Sequence, residues 1–265
     1  MSKMKDSVFG TFLVAFVVCA VCSIFVASAA VILRPIQAKN AELFKNKNIL
    51  IACGMIDKND KITAEKCEEL LNSVRILKVD LSTQKIVAEG AEALQYDERT
   101  AAKTPGESVA ITGSKFNVGL ASRGRYGLLF VAENPETKEK RVVLPLVGRG
   151  LWSVMSAFIA LDGSDMNTVK SLLFYDQGET AGLGGEVENP NWTARWVGKK
   201  AFDGNQPAIR VIKGAAPMDS EFEVDGISGA TLTCNGVNGT VGYWLALYKP
   251  VLDILAEEEK MGGNE

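Results

Sequence analysis

Asp225-Gly226-Ile227-Ser228-Gly229-Ala230-Thr231 sets a hydroxyl at the start of a long apolar helical pattern. A threonine oxygen in that place could carry a phosphoester. The small residues Gly226, Ser228, Gly229 and Ala230 would let a bulky group approach the backbone, and the unpaired N–H groups of a helix N-terminus favour the resulting anion. A plainer arrangement fits the same residues: Ser228 caps the helix and Thr231 lies in its first turn. A second such stretch is residues 178–190, where Gly178, Gly182, Gly184 and Gly185 surround Glu179, Thr180 and Leu183. It lacks the strand-GxGxxG-helix setting of a dinucleotide fold and has no Walker lysine. Its glycines therefore offer close backbone approach to a flat group, or simply turns.

The chain contains no histidine, which excludes Ser-His-Asp and Cys-His machinery and most zinc sites. Chemistry seated in an organic cofactor is compatible with that absence. The five cysteines are Cys19, Cys22, Cys53, Cys67 and Cys234. Cys19 and Cys22 share one helical face inside an apolar run; they read as packing residues or, alternatively, as ligands to an iron centre shared with other chains. Cys53 and Cys67 could pair in an oxidising space, although spacing alone does not establish the geometry. Cys234 reads as a packing residue. A net charge of −3 argues against a nucleic-acid binder, which would carry a basic face. At 47% hydrophobic and 23% charged residues, the 265-residue chain is ordinary for a globular protein.

These groups need elements to position them. Residues 7–33 carry no charge, a run of roughly 40 Å as a helix, where a bilayer core needs only about 20 residues. The rival is a cleaved signal peptide ending at Ala27-Ser28-Ala29, but its apolar core would span only about 7–15 residues. Charge does not orient the span: Lys3, Lys5 and Asp6 precede it, while Arg34, Lys39, Lys45 and Lys47 follow, a slight excess on the far side. Residues 36–73 read as a connecting helix and a second short one opened by Thr63-Ala64-Glu65-Lys66. Residues 74–87 read as two strands around Ser82-Thr83, and residues 89–122 as a long excursion without a strong element. Residues 126–132 and 141–147 form a hairpin about Asn134-Pro135-Glu136-Thr137. Gly148-Arg149-Gly150 breaks its second strand. Residues 151–161 suit a short helix or a strand, and residues 169–175 and 208–213 read as strands. The longest helix candidate runs from 231 to 255 with Val237, Val241, Trp244, Leu245 and Tyr248 on one side; Pro250 should end or kink it. The sum is an α+β fold, antiparallel strands with helices packed against them.

Residues 225–231 resemble the flavinylation motif of proteins that carry FMN through a threonine phosphoester. Residues 178–190 and Gly148-Arg149-Gly150-Leu151-Trp152-Ser153 resemble the NqrC family of the sodium-translocating NADH:quinone reductase, as does the order of parts. The resemblance implies a single transmembrane helix (residues 1–34) followed by an extracytoplasmic domain (35–265), with the FMN-binding part at about 125–250. It implies FMN covalently bound to Thr231, transferred from FAD by a flavin transferase that reads Asp225 and the Ser228-Gly229-Ala230 core. Leu183 and Gly184 would meet the isoalloxazine, and Glu179 and Thr180 its polar edges. Leu151, Trp152 and Ser153 would form a wall, and Lys213 would lie near the phosphate or the ring edge. The implied role is electron transfer within a multi-subunit complex of the bacterial inner membrane, with the large domain in the periplasm. The chain itself offers no catalytic residue, no NADH or quinone site and no charge inside the span to carry an ion. The RnfG component of the Rnf electron-transport complex shares the anchor and attachment core, and a colourless scaffold protein is the reading from another class.

Overall fold

A computed structural model describes residues 8–262, the side chains of 261 and 262 excepted. Lys3, Lys5 and Asp6 lie outside the described residues. The chain divides into two units, Met1–Lys45 and Asn46–Glu265. Helix α1 (Val8–Ala52) is long and apolar enough to cross a membrane. Its large apolar side chains between residues 8 and 33 stand exposed, as hydrocarbon-facing residues do. The connecting helix expected after residue 35 is the same helix carried on without a break, with Pro35 inside it.

In the second unit, α2 (Ala64–Leu71) begins as its sequence predicts, with the Thr63 hydroxyl accepting from the Lys66 N–H at 3.3 Å. Strands β1 (Arg75–Asp80) and β2 (Lys85–Glu89) form the expected hairpin. Its turn is fixed by Asp80, whose Oδ1 accepts from the Ser82 and Thr83 N–H groups. The excursion that follows is less bare than expected. It holds α3 (Ala91–Leu94), α4 (Glu98–Ala101) and the short strand β3 (Ser108–Ala110), paired with β4 (Ser122–Gly124).

Then come β5 (Tyr126–Glu133), β6 (Lys140–Arg149), β7 (Val154–Asp162) and β8 (Val169–Asp176). The main sheet has the order β2-β1-β5-β6-β7-β8, antiparallel throughout. Asn134 fixes the β5–β6 turn by accepting from the Glu136 and Thr137 N–H groups. One expectation changes here, and one left open is decided. Gly148 and Arg149 do not break β6; they pair with Met155 and Val154. A side chain at Gly148 would collide with Thr240, so this glycine admits a helix against the strand. Residues 151–161 resolve as a turn followed by strand β7.

Beyond β8, a 3-10 turn (Gly184–Glu188) leads into α5 (Pro190–Thr193). Short strands follow: β9 (Phe202–Asp203) with β10 (Gln206–Pro207), and β11 (Arg210–Val211), which pairs in parallel with β12 (Glu223–Val224). The strand expected over 208–213 is thus two residues long. The Asn238 side chain extends it, accepting from the Val211 N–H at 2.7 Å and donating to its carbonyl at 2.8 Å.

The final helix, α6 (Thr231–Gly262), packs on the sheet through Val237, Val241, Trp244, Leu245 and Tyr248, all buried as their spacing predicts. Each such side chain stabilises by about 1.5–3 kcal/mol. The polar tips are satisfied: Trp244 Nε1 donates to the Val147 carbonyl at 2.7 Å and the Tyr248 hydroxyl to the Leu128 carbonyl at 2.9 Å. Pro250 does not end α6. It removes one backbone bond, and the buried side chains of Val251, Leu252 and Leu255 beyond it hold the last turns to the core. Cys53 and Cys67 are free thiols, both buried. Burial pushes the Cys53 thiol up to about 12 against the pull of Arg141, so it is inert.

Candidate functional site

Thr231 is the first residue of α6. The chain reaches it through Gly229, at φ +73°, and a turn in which the Ala230 N–H donates to the Ile227 carbonyl. Cys234, one turn into the helix, fixes this approach: its sulfur accepts from the Ile227 N–H at 3.4 Å. Thr231 and Leu232 stand exposed, whereas Thr233 is 1% exposed. Residues two apart on a helix point about 200° apart, so the two threonines face opposite ways. Beside Thr231 lies a cleft of about 330 Å³, lined by Lys213, Gly214, Ser228, Gly229, Thr231 and Asn235 among others. Lys213, just past β11, is exposed there.

The buried Thr233 hydroxyl donates to Glu179 Oε2 at 2.6 Å. The same oxygen accepts from the Leu151 N–H at 3.0 Å. Oε1 accepts from the Trp152 N–H, the Ser153 N–H and the Ser153 hydroxyl, each at 3.0 Å. Burial alone would raise the pKa of this carboxyl. The Thr233 hydroxyl and the N–H groups of Trp152, Leu151 and Ser153 outweigh that and hold it at about 2. Glu179 is only 8% exposed, so its carboxylate joins parts of the protein instead of facing an open edge.

Above it the side chains turn outward. Trp152 is 67% exposed, Leu151 40% and Leu183 43%, an apolar surface next to the end of α6. Leu183 packs over Gly229: a β-carbon built there would lie 2.8 Å from Leu183 Cδ2. Thr180 is exposed, and its carbonyl closes the loop by accepting from the Leu183 and Gly185 N–H groups. Gly184 is buried against Thr233, with room for no side chain. Asp225 points elsewhere: its carboxylate accepts from the Ala216 N–H at 2.8 Å and pairs with Arg195, while its carbonyl accepts from Trp192 Nε1.

Most of the residues singled out in the sequence thus fall into three groups. Leu151, Trp152, Ser153 and Glu179 are hydrogen-bonded together, Leu183 covers Gly229, and Lys213, Ser228, Gly229 and Thr231 share one cleft. Ala230 is buried beneath them, and Asp225 belongs to a neighbouring surface with Arg195. Thr233, Asn235 and Asn238 are missed by the sequence reading. Thr233 leaves a sequence signal in its phase on the apolar side of the helix, and Asn235 in its place one turn from Thr231.

A family model described as the FMN-binding domain matches residues 150–246. The chain is 45% identical to the Na(+)-translocating NADH-quinone reductase protein NqrC of Vibrio parahaemolyticus, over 92% of this chain and 93% of that one. It is 41% identical to the protein of the same name from Haemophilus ducreyi, over 91% and 90%. The crystal structure of Shewanella oneidensis NqrC superposes with a TM-score of 0.70 at 31% identity, covering 79% of this chain and 95% of that one.

Proposed function

Because the chain belongs to the NqrC family of the Na(+)-translocating NADH-quinone reductases, we propose that it is an electron-carrying subunit of such a complex, with FMN esterified to Thr231. The observation that carries the attachment is the contrast between the two threonines. Thr231 is exposed at a helix N-terminus, whereas Thr233 is buried and already bonded to Glu179. A phosphoester at Thr231 would lie near the first N–H groups of α6, where an anion is favoured, and Lys213 would add a cation from across the cleft.

The residues present fit a flat, partly apolar group. Trp152 and Leu183 supply exposed apolar faces, and Gly214 in the cleft lining leaves the backbone open to close approach. When bound, FMN supplies one- and two-electron transfer. The chain orients it, anchors it through one covalent bond and keeps it from dissociating. In maturation the Thr231 hydroxyl would lose its proton and bond to the flavin phosphorus of FAD, with AMP leaving under the action of a flavin transferase. Asp225, beside Arg195 on an adjacent surface, is a candidate for what that transferase reads. The other electron centres and the sites for NADH, quinone and sodium belong, in this reading, to neighbouring subunits in the inner membrane. The Asn46–Glu265 unit would face the periplasm.

Intact mass of the chain co-expressed with a flavin transferase tests the attachment. Wild type and Thr233→Ala should carry one FMN-sized increment, and Thr231→Ala none. An increment retained on Thr231→Ala would refute the assignment, and a wild-type chain without colour would favour the scaffold reading.

A further inference from the structure

Glu179 stands apart from the other buried carboxylate of this unit. Asp80 pairs with Arg125 at 2.8 Å, while no ion pair reaches Glu179 among the described residues. A buried charge without a counter-ion depends entirely on the hydrogen bonds it accepts, and five neutral donors converge on this one from segments far apart in sequence. Oε2 joins Leu151 to Thr233, and Oε1 holds Trp152 and Ser153. The Ser153 hydroxyl also accepts from the Gly178 N–H at 2.8 Å, and the Gln177 side chain takes the Glu179 N–H at 2.5 Å. Gly184 closes the remaining side, its built β-carbon 2.5 Å from Thr233 Oγ1 and 2.9 Å from Glu179 Cβ.

Extending the attachment reading on which it rests, we propose that Glu179 is the positioning residue of the flavin site. Its carboxylate clamps the 151–153 turn to the first turn of α6. In doing so it fixes the exposed Trp152 face relative to the helix end that carries Thr231. The donors are three backbone N–H groups and the Ser153 hydroxyl on one side, and a side chain two residues from Thr231 on the other. Displacing the carboxylate therefore moves the wall and the attachment point independently of each other. Sites that must hold a bound group to a fraction of an ångström rely on such supporting bonds behind the contacting residues.

The test uses the full-length chain flavinylated by a co-expressed transferase, with flavin fluorescence, visible circular dichroism and melting temperature measured on each variant. Glu179→Gln keeps the shape but turns an amide N–H toward one set of donors, and Thr233→Val removes a single bond. Both should carry FMN with fluorescence raised severalfold and visible dichroism reduced, because the ring is no longer held against a quenching tryptophan. Thr233→Ser should restore the wild-type signals. A flavin spectrum and fluorescence equal to wild type in both variants, even with a lowered melting temperature, would overturn the proposal and leave Glu179 a stabilising residue only. Should Glu179→Gln fail to fold, the Thr233→Val and Thr233→Ser pair decides by the same readout. FMN found on Thr231→Ala, or missing from wild type, would instead strike the attachment reading.

Discussion

Thr231 and Thr233 show how far residue types alone can go. The motif and its helix are legible in the sequence, and the phase of a helix separates an exposed hydroxyl from a buried one. Trp152 comes into view only through the resemblance, because by residue type alone an aromatic there reads as core. The tie at Glu179 is not legible, because three of its five donors are backbone N–H groups, which every residue type supplies. That tie has an acid signature. The carboxyl is held at about 2, below its ordinary value of 4.5. Its contribution is therefore complete above pH 4.5 and is lost as pH falls from 4.5 toward 2. A shift of that size corresponds to about 3 kcal/mol. The stability gap between wild type and Glu179→Gln, measured by denaturant titration, should be widest at neutral pH and close as pH 2 is approached. Asp165 titrates in the same window: burial raises it, and the Thr168 hydroxyl with the Thr168 and Asn167 N–H groups brings it to about 2. Asp80, Glu139 and Asp162 are lowered as well, so the wild-type curve alone would mix all five carboxyls, whereas the difference isolates Glu179. A gap independent of pH would show that the carboxylate is not the stabilised form.

Among the elements, α6 and the hairpins are written in apolar spacing and turn residues. The misreadings share one cause, contacts between elements that override a local signal. Gly148 reads as a strand breaker until Thr240 is seen pressed against it. Pro250 reads as a stop or a kink, and the stop is ruled out by the buried residues beyond it. The pieces between residues 89 and 122 are three or four residues long and hang on distant partners. Glu98, for example, accepts from the Leu128 N–H at 2.7 Å, and the Tyr96 hydroxyl accepts from the Tyr126 N–H at 3.3 Å. The close seating of α6 gives a prediction at this scale. A β-carbon at Gly239 would collide with the Asn117 carbonyl, a backbone atom that cannot swing away. Alanine normally favours a helix over glycine by about 1 kcal/mol. Here overpacking should reverse the sign, and Gly239→Ala should cost about 1–3 kcal/mol in denaturant unfolding. A stabilised Gly239→Ala protein would mean that α6 is not seated so tightly against residues 116–118.

For the whole molecule, an uncharged N-terminal run followed by a mixed α+β domain is plain from composition and period. The point where the folded unit begins is not, since α1 runs through it without a change in helical pattern. The buried residues Ile49, Leu50, Ala52 and Cys53 belong to the core of the Asn46–Glu265 unit. A chain starting at residue 36 should therefore be soluble and fold as the full chain does. One starting at residue 54 loses Ile49 and Leu50, each contributing about 1.5–3 kcal/mol, and should be aggregated or unfolded by circular dichroism. Orientation is the remaining property, and here the basic flank of Arg34, Lys39, Lys45 and Lys47 opposes the proposed periplasmic placement. The excess over Lys3 and Lys5 is small, and positive residues act as a bias on insertion rather than an absolute bar. Alkaline phosphatase, which is active only outside the cytoplasm, provides the measurement when fused after the last residue. Activity is expected for the wild-type fusion. An inactive fusion, with activity appearing only when lysines are added before residue 7, would place the folded unit in the cytoplasm and put its flavin on the opposite face of the membrane.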